Sequence, residues 1–162
     1  MGTILVAYAT KHGSTEEVAE EIAFTLCDLG WRVDLRSARE VRKQIKDDGL
    51  VVLGGAIYSG RLHPDARRFL KRHRRELLKV PVAVFGMGPL GLEKEAWERS
   101  RAQLARNLAK RAWLRPARMT VFGGVDPRKP RWDVDRDLRD WEAIRSWARE
   151  LPKIVAKPGS AI

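Results

Sequence analysis

The apolar positions of this chain alternate between two periods. Thr3–Ala9 (TILVAYA) is a short, almost unbroken apolar run, the pattern of a strand covered on both faces in a parallel sheet. From Ser14 the period becomes helical: Val18, Ile22, Leu26 and Leu29 fall on one stripe, with Glu16, Glu17, Glu20 and Glu21 outside it. Gly30 follows, where a C′ glycine would end the helix. The sequence then repeats the scheme. Residues 32–36 alternate weakly as a second strand, and residues 50–53 (LVVL) are a third, closed by Gly54-Gly55. The next helix carries Ala66, Phe69, Leu70, His73 and Leu77 on one face. Residues 81–85 (PVAVF) form a fourth strand, residues 93–112 a helix with Trp97, Leu104 and Leu108 in step, and residues 119–122 a fifth strand. Residues 126–139, rich in Pro, Arg and Asp, read as a long loop, after which Asp140 can N-cap a last helix burying Trp141, Ile144, Ala148 and Leu151.

Strand and helix alternating five times predict a doubly wound α/β domain with a five-stranded parallel sheet, and the order 2-1-3-4-5 is a common right-handed solution. The expected domain covers residues 1–151, with residues 152–162 a fraying tail marked by Pro152, Pro158 and Gly159. At 162 residues and 18.4 kDa one core suffices. The lone Cys27 permits no internal disulfide and no Cys/His cluster has zinc spacing, so a stapled secreted fold and a metal site are not expected. No apolar stretch reaches the ~18 residues of a membrane span, and the N-terminus enters a strand without a leader pattern. These features place the expected protein in the cytoplasm. Its net charge of +11 changes the picture more, because it calls for an anionic partner.

In an open α/β sheet ligands sit beyond the carboxyl ends of the strands. The first such loop, Thr10-Lys11-His12-Gly13-Ser14-Thr15, puts three hydroxyls and a glycine at a helix N-terminus, where free N–H groups and the dipole favour phosphate. A capping box of Ser14 and Glu17 accounts for part of this set, but not for Thr10 and Thr15. The loop lacks a Gly-Lys-Ser/Thr ending, which disfavours nucleotide hydrolysis. Gly86-Met87-Gly88-Pro89-Leu90-Gly91 spells G-x-G-x-x-G. It does not follow the first strand, and no Asp or Glu occurs between Arg99 and Val125 to take a ribose hydroxyl, so a resident dinucleotide is not expected. His73 shares a buried stripe and reads as a core histidine; His63, before Pro64, is the better candidate for proton handling. Cys27, near the apolar side of its helix, reads as a buried thiol.

Strand, then T-x-x-G-S-T, then an amphipathic helix resembles the FMN phosphate loop of the flavodoxins. The run from Gly54 to His63, the Phe69-bearing basic helix, Trp113 with Arg115-Pro116, and Asp140-Trp141-Glu142 resemble the flavodoxin-type, menaquinone-dependent protoporphyrinogen oxidase branch. The segment between Gly124 and Asp140 is shorter than that branch's characteristic insertion. The resemblance implies a three-layer flavodoxin-like sandwich and non-covalent FMN. Thr10, Lys11, His12, Gly13, Ser14 and Thr15 would cradle the phosphate. Ala56, Ile57, Tyr58, Ser59 and Gly60 would lie along the ring, with Tyr58 or Ile57 covering a face and a peptide near Gly60 reaching flavin N5. Met87, Gly88, Pro89, Leu90 and Gly91 would form the second flavin loop.

Between Arg61 and Lys79 eight bases face only Asp65 and Glu76. This one-sided helix suits a solvated face, or a redox partner protein, a quinone or an anionic membrane surface on the inner side of the membrane. The leading expectation is an FMN-dependent redox protein exchanging electrons with a quinone or protein partner. Menaquinone-dependent protoporphyrinogen IX dehydrogenation is the alternative. A flavin-free nucleic-acid-binding module is a distant third, because no recognition motif is present and the aromatics sit on buried stripes.

Overall fold

A computed structural model describes residues 2–45 and 48–155. The elements are β1 (Thr3–Ala9), α1 (Ser14–Asp28), β2 (Arg32–Ser37), β3 (Asp48–Tyr58), β4 (Arg61–Leu62), α2 (Pro64–Arg72), α3 (Arg74–Leu77), β5 (Val82–Met87), α4 (Lys94–Ala109), β6 (Arg118–Phe122) and α5 (Trp141–Glu150). The parallel sheet runs β2-β1-β3-β5-β6, and β4 is an antiparallel stub on β3. Counting parallel strands alone, this is the expected order 2-1-3-4-5.

Alternation along each strand divides the core in two, because successive side chains point to opposite faces. Leu5, Ala7, Val51, Leu53 and Val84 meet Phe69, Leu70 and Leu104 of α2 and α4 on one face. Ile4, Val6, Leu50, Val52, Ala83 and Phe85 meet Ile22, Leu26, Ile144 and Ala148 of α1 and α5 on the other. Two helix ends follow the sequence closely, and a third has a cap the sequence reading did not name. Gly30 has φ +94° and donates to Cys27 O, the left-handed stop anticipated for α1. Asp140 accepts from Ala143 N–H at 3.1 Å and caps α5. His63 caps α2, its Nδ1 accepting from Asp65 N–H at 3.0 Å.

Other expectations need correction. The basic helix breaks at His73 into α2 and α3. His73 is buried, as expected, with Nε2 2.7 Å from Val41 O. Cys27 is exposed, because it lies one residue beyond the buried Leu26, about 100° round the helix from the core stripe. Residues 54–58, read as loop, are strand. The expected tail begins at Pro152, yet Leu151–Ile154 continue as a 3₁₀ turn with Ile154 and Val155 against the core; residues 156–162 lie outside the described residues.

Candidate functional site

The loops leaving β1, β3 and β5 emerge side by side, because these strands are neighbours in the sheet. At the first loop Gly13 is the N-cap of α1, with φ +89°, a conformation that a side chain would strain. Ser14 is therefore the first helical residue and makes no side-chain cap hydrogen bond, so the anticipated capping box is not formed. The Gly13 N–H donates to Thr10 Oγ1 at 2.8 Å, which leaves the Thr10 hydroxyl proton for another acceptor. The first helical bond runs from Glu17 N–H to Gly13 O, so the amides of Ser14, Thr15 and Glu16 form the open end of the helix.

Thr15 is fully buried, and its Oγ1 has no hydrogen-bond partner. A buried hydroxyl without a partner costs about 1–3 kcal/mol, and such groups are uncommon in native structures. Here it sits in the first turn of a helix, beside two further hydroxyls and a set of open amides. The set is what a phosphate monoester requires: neutral donors arranged around a dianion. Lys11 and His12 are exposed on the outer side of the loop.

Two features brace this loop. Tyr8 donates its hydroxyl to Glu16 Oε1 at 2.8 Å, and burial, reinforced by that carboxylate, pushes the phenol up to about 12. Arg139, with a side chain only 9% exposed, donates to Ser14 O at 3.3 Å, approaches Glu17 Oε1 at 3.5 Å and pairs with Asp137 Oδ2 at 2.7 Å. The Asp137 carboxyl is held below the usual range chiefly by the hydrogen bond from Arg139. Sequence reading passed over Arg139 as part of a polar loop. Its only local signal was an arginine between two aspartates immediately before a helix cap.

At the second loop β3 continues through Ala56 and Ile57 to Tyr58, then turns back into β4 with Ile57 opposite Leu62 and Tyr58 opposite Arg61. Ser59 (φ +49°) and Gly60 (φ +75°) are both left-handed, as a two-residue hairpin of type I′ requires. Ala56 is buried. Ile57 turns inward, its Cδ1 filling the space beside Gly86, whereas Tyr58 is 42% exposed, with Lys11 Nζ 5.8 Å from its ring centre. Of the two candidates to cover the flavin ring, Tyr58 is the exposed one. The Gly60 carbonyl accepts from Asn107 Nδ2 at 2.8 Å, and Asn107 Oδ1 accepts from Leu62 N–H at 3.1 Å. Asn107, another residue missed in the sequence, clamps the hairpin from α4, and the Gly60 carbonyl is already engaged.

At the third loop Gly86 and Met87 belong to β5, and Met87 is buried in the core with Phe85 and Phe122. Gly88 N–H donates to Phe122 O at 3.2 Å, and buried Pro89 accepts from Gly124 N–H at 2.9 Å. Leu90 is exposed, and Gly91 leads to α4. The helix starts only at Lys94, so the third glycine of the G-x-G-x-x-G match lies outside it, unlike a dinucleotide fingerprint.

His63 is held as an acceptor at Nδ1, and burial lowers its pKa, opposed by Asp65. Lowering the folded pKa means that the unfolded chain binds more protons, so this stabilisation is complete above the unfolded value near 6.5 and is lost as pH falls through the folded pKa. His63→Asn, which keeps a capping acceptor, is expected to flatten the stability profile as pH falls below the unfolded value near 6.5. Denaturant titrations at several pH values measure it, and an unchanged slope would show that His63 does not carry the effect.

The model for the flavodoxin domain family matches residues 5–133. The chain belongs to the flavodoxin family. Among curated proteins this flavodoxin-family chain is 25% identical over 176 residues to protoporphyrinogen IX dehydrogenase [quinone] of Escherichia coli K12, covering 95% of this chain and 97% of that protein. Among solved structures it is similar to oxidised flavodoxin 1 of Bacillus cereus, with TM-score 0.65, 17% identity, and 95% and 99% of the two chains covered. It also resembles the Fusobacterium nucleatum flavodoxin bound to flavin mononucleotide, with TM-score 0.57, 18% identity, and coverage of 96% and 99%. Among the described residues no helix is long and apolar enough to cross a membrane, and no group of three His, Cys, Asp or Glu is placed to hold a metal.

Proposed function

We propose that this chain binds FMN non-covalently and serves as a redox protein that exchanges electrons with a quinone or a protein partner. The observation that carries the reading is the buried Thr15 hydroxyl, which has no partner within the protein and stands in the first turn of α1. When bound, FMN supplies one- and two-electron chemistry that no side chain here provides. The chain supplies binding and orientation. Thr10, Ser14 and Thr15 hydroxyls, with the open amides of α1, would hold the phosphate, and Arg139 keeps that turn in place through Ser14 O. Tyr58 would cover one face of the ring, at the edge nearest Lys11. Leu90 and the backbone of Gly88, Pro89 and Gly91 would line the opposite side, while Met87, Ala56 and Ile57 support the site from the core. The hairpin at Ser59-Gly60, clamped by Asn107, would set how backbone groups approach the flavin edge.

The full-length similarity to the E. coli enzyme favours a second, narrower reading, in which protoporphyrinogen IX is the electron donor and a quinone the acceptor. One experiment separates the two. Protein saturated with FMN and reduced anaerobically is expected to be reoxidised by a menaquinone analogue; oxidised protein, given protoporphyrinogen anaerobically with an excess of that quinone to take the six electrons, is expected to release porphyrin only under the narrower reading. A titration in which FMN fluorescence is not quenched would overturn both.

A further inference from the structure

A second feature of the surface is independent of the flavin reading. Between α2 and the C-terminal end of α4 lies an open cleft of about 530 Å³. Arg61, Arg67, Lys71 and Arg74 line one wall and Lys110 and Arg111 the other, while no carboxylate lines it. Elsewhere some arginines of this basic chain are paired, Arg145 with Glu21, Arg149 with Glu142 and Arg139 with Asp137, and others, such as Arg32, Arg99 and Arg131, are exposed on the outer surface. In the cleft, only Arg68 at the rim has a carboxylate partner, Asp65, at 3.3 Å. Among the described residues none of the six wall cations makes an ion pair. Six cations without ion pairs thus face one concave site, an arrangement that a merely solubilising distribution would not require.

Three of the cations are also held in place. Arg67 Nε donates to Leu62 O at 3.0 Å and Arg111 to Asn107 O at 2.8 Å, bonds that fix the stems and leave further guanidinium N–H groups for a ligand. Arg74 lies 5.7 Å from the centre of the Trp113 ring, which forms an apolar end to the cleft. Burial, and then the like charge of Arg67, lower the Arg111 pKa, so bringing these groups together is costly to the protein by itself.

We propose that this cleft binds an anion carrying closely spaced phosphate groups. A phosphate brings up to two charges and three acceptor oxygens, so two or three linked phosphates offer the six wall cations enough acceptors and offset most of their charge; a single carboxylate brings one charge. The volume admits a phosphorylated small molecule or a phospholipid headgroup that carries two phosphates, and both present the same chemistry. Asn107 lines the cleft and also clamps Gly60, so the ligand would lie against the brace of the hairpin.

The test is calorimetric titration of the whole protein with inorganic tripolyphosphate at 0.15 M salt. Three preparations are compared: wild type, the variant Lys71→Gln/Arg74→Gln/Lys110→Gln, and a control with the same loss of charge at exposed positions elsewhere, Arg32→Gln/Arg99→Gln/Arg131→Gln. The expected result is saturable binding to wild type and control, and affinity at least about tenfold weaker in the cleft variant, whose FMN binding is unchanged. Equal weakening in the two variants would reduce the effect to net charge and overturn the proposal, as would unaltered binding in the cleft variant. Ser14→Ala/Thr15→Val serves as a further control, and loss of tripolyphosphate binding there would move the site to the first loop and also overturn it. Sedimentation with vesicles containing cardiolipin, whose headgroup carries two phosphates, in competition with tripolyphosphate, identifies the source. Vesicle binding lost only in the cleft variant marks a lipid headgroup; tripolyphosphate binding without vesicle binding marks a free phosphorylated molecule, and either supports the site.

Discussion

Replacing Thr15 by valine is expected to make the apoprotein more stable and its hold on FMN weaker. The two side chains have nearly the same shape, so the substitution chiefly exchanges a buried hydroxyl that has no partner for a methyl group. Removing that unpaired group should stabilise the folded chain by about 1 kcal/mol, or roughly 2–4 °C in melting temperature for a domain of this size. A hydrogen bond to a charged phosphate is worth about 1.5–3 kcal/mol, so the dissociation constant for FMN should rise by roughly 10- to 150-fold. Riboflavin, which has no phosphate, should bind the variant as it binds wild type. Melting curves of the apoprotein and fluorescence titrations with both flavins make the comparison. Equal losses for FMN and riboflavin would place the phosphate elsewhere, and a fall in apoprotein stability would mean that the hydroxyl already has a partner.

Gly54→Ala is expected to be among the most damaging single-methyl additions to the core. A Cβ at position 54 would fall inside the Phe85 ring, which packs across the strand against Phe122 and Trp147. Neither the backbone of central strand β3 nor that buried ring has room to move, so the cost should reach or exceed the ~3 kcal/mol at the upper end of ordinary overpacking. Phe85→Leu would itself destabilise, since it deletes ring contacts. In the double variant, however, Gly54→Ala should cost much less, because the obstructing ring is gone. Denaturant midpoints of the four proteins give the coupling. Strict additivity would show that Phe85 is not what excludes a side chain at position 54.

The same glycine shows where reading the sequence stops. Local pattern was enough for the alternation of apolar runs and helical stripes, the stop at Gly30 and the cap at Asp140, because each depends on neighbours within a few residues; the sheet order came instead from topology rules and the family resemblance. Local pattern was also enough to choose the first loop, since a glycine and three hydroxyls between a strand and a helix form one. Gly54-Gly55, by contrast, looked like the end of a strand. They lie inside one because Phe85, Leu62 and Ala66 occupy the space their side chains would need, and those residues come from other elements. The break of the basic helix is similar: His73 reaches Val41, 32 residues away, and no local period records that bond.

At the site itself, residue types were legible and roles were not. Ser14 had the sequence of a capping residue, but Gly13 takes the cap, and the neighbouring hydroxyl of Thr15 is the one left buried and unpaired. Arg139 and Asn107 act on Ser14 and Gly60 from 125 and 47 residues away. The cationic cleft likewise exists only because α2 and the end of α4 are brought together, so that charges spread over two segments face one space. The sequence by itself determined the alternation of strands and helices and hence the fold class, a consequence of short-range periodicity and backbone chemistry, while the sheet order followed from topology rules and the family resemblance. Which hydroxyl is unpaired, which aromatic ring is presented and which arginines lack a carboxylate were decided by tertiary structure, because each depends on what distant segments bring into contact.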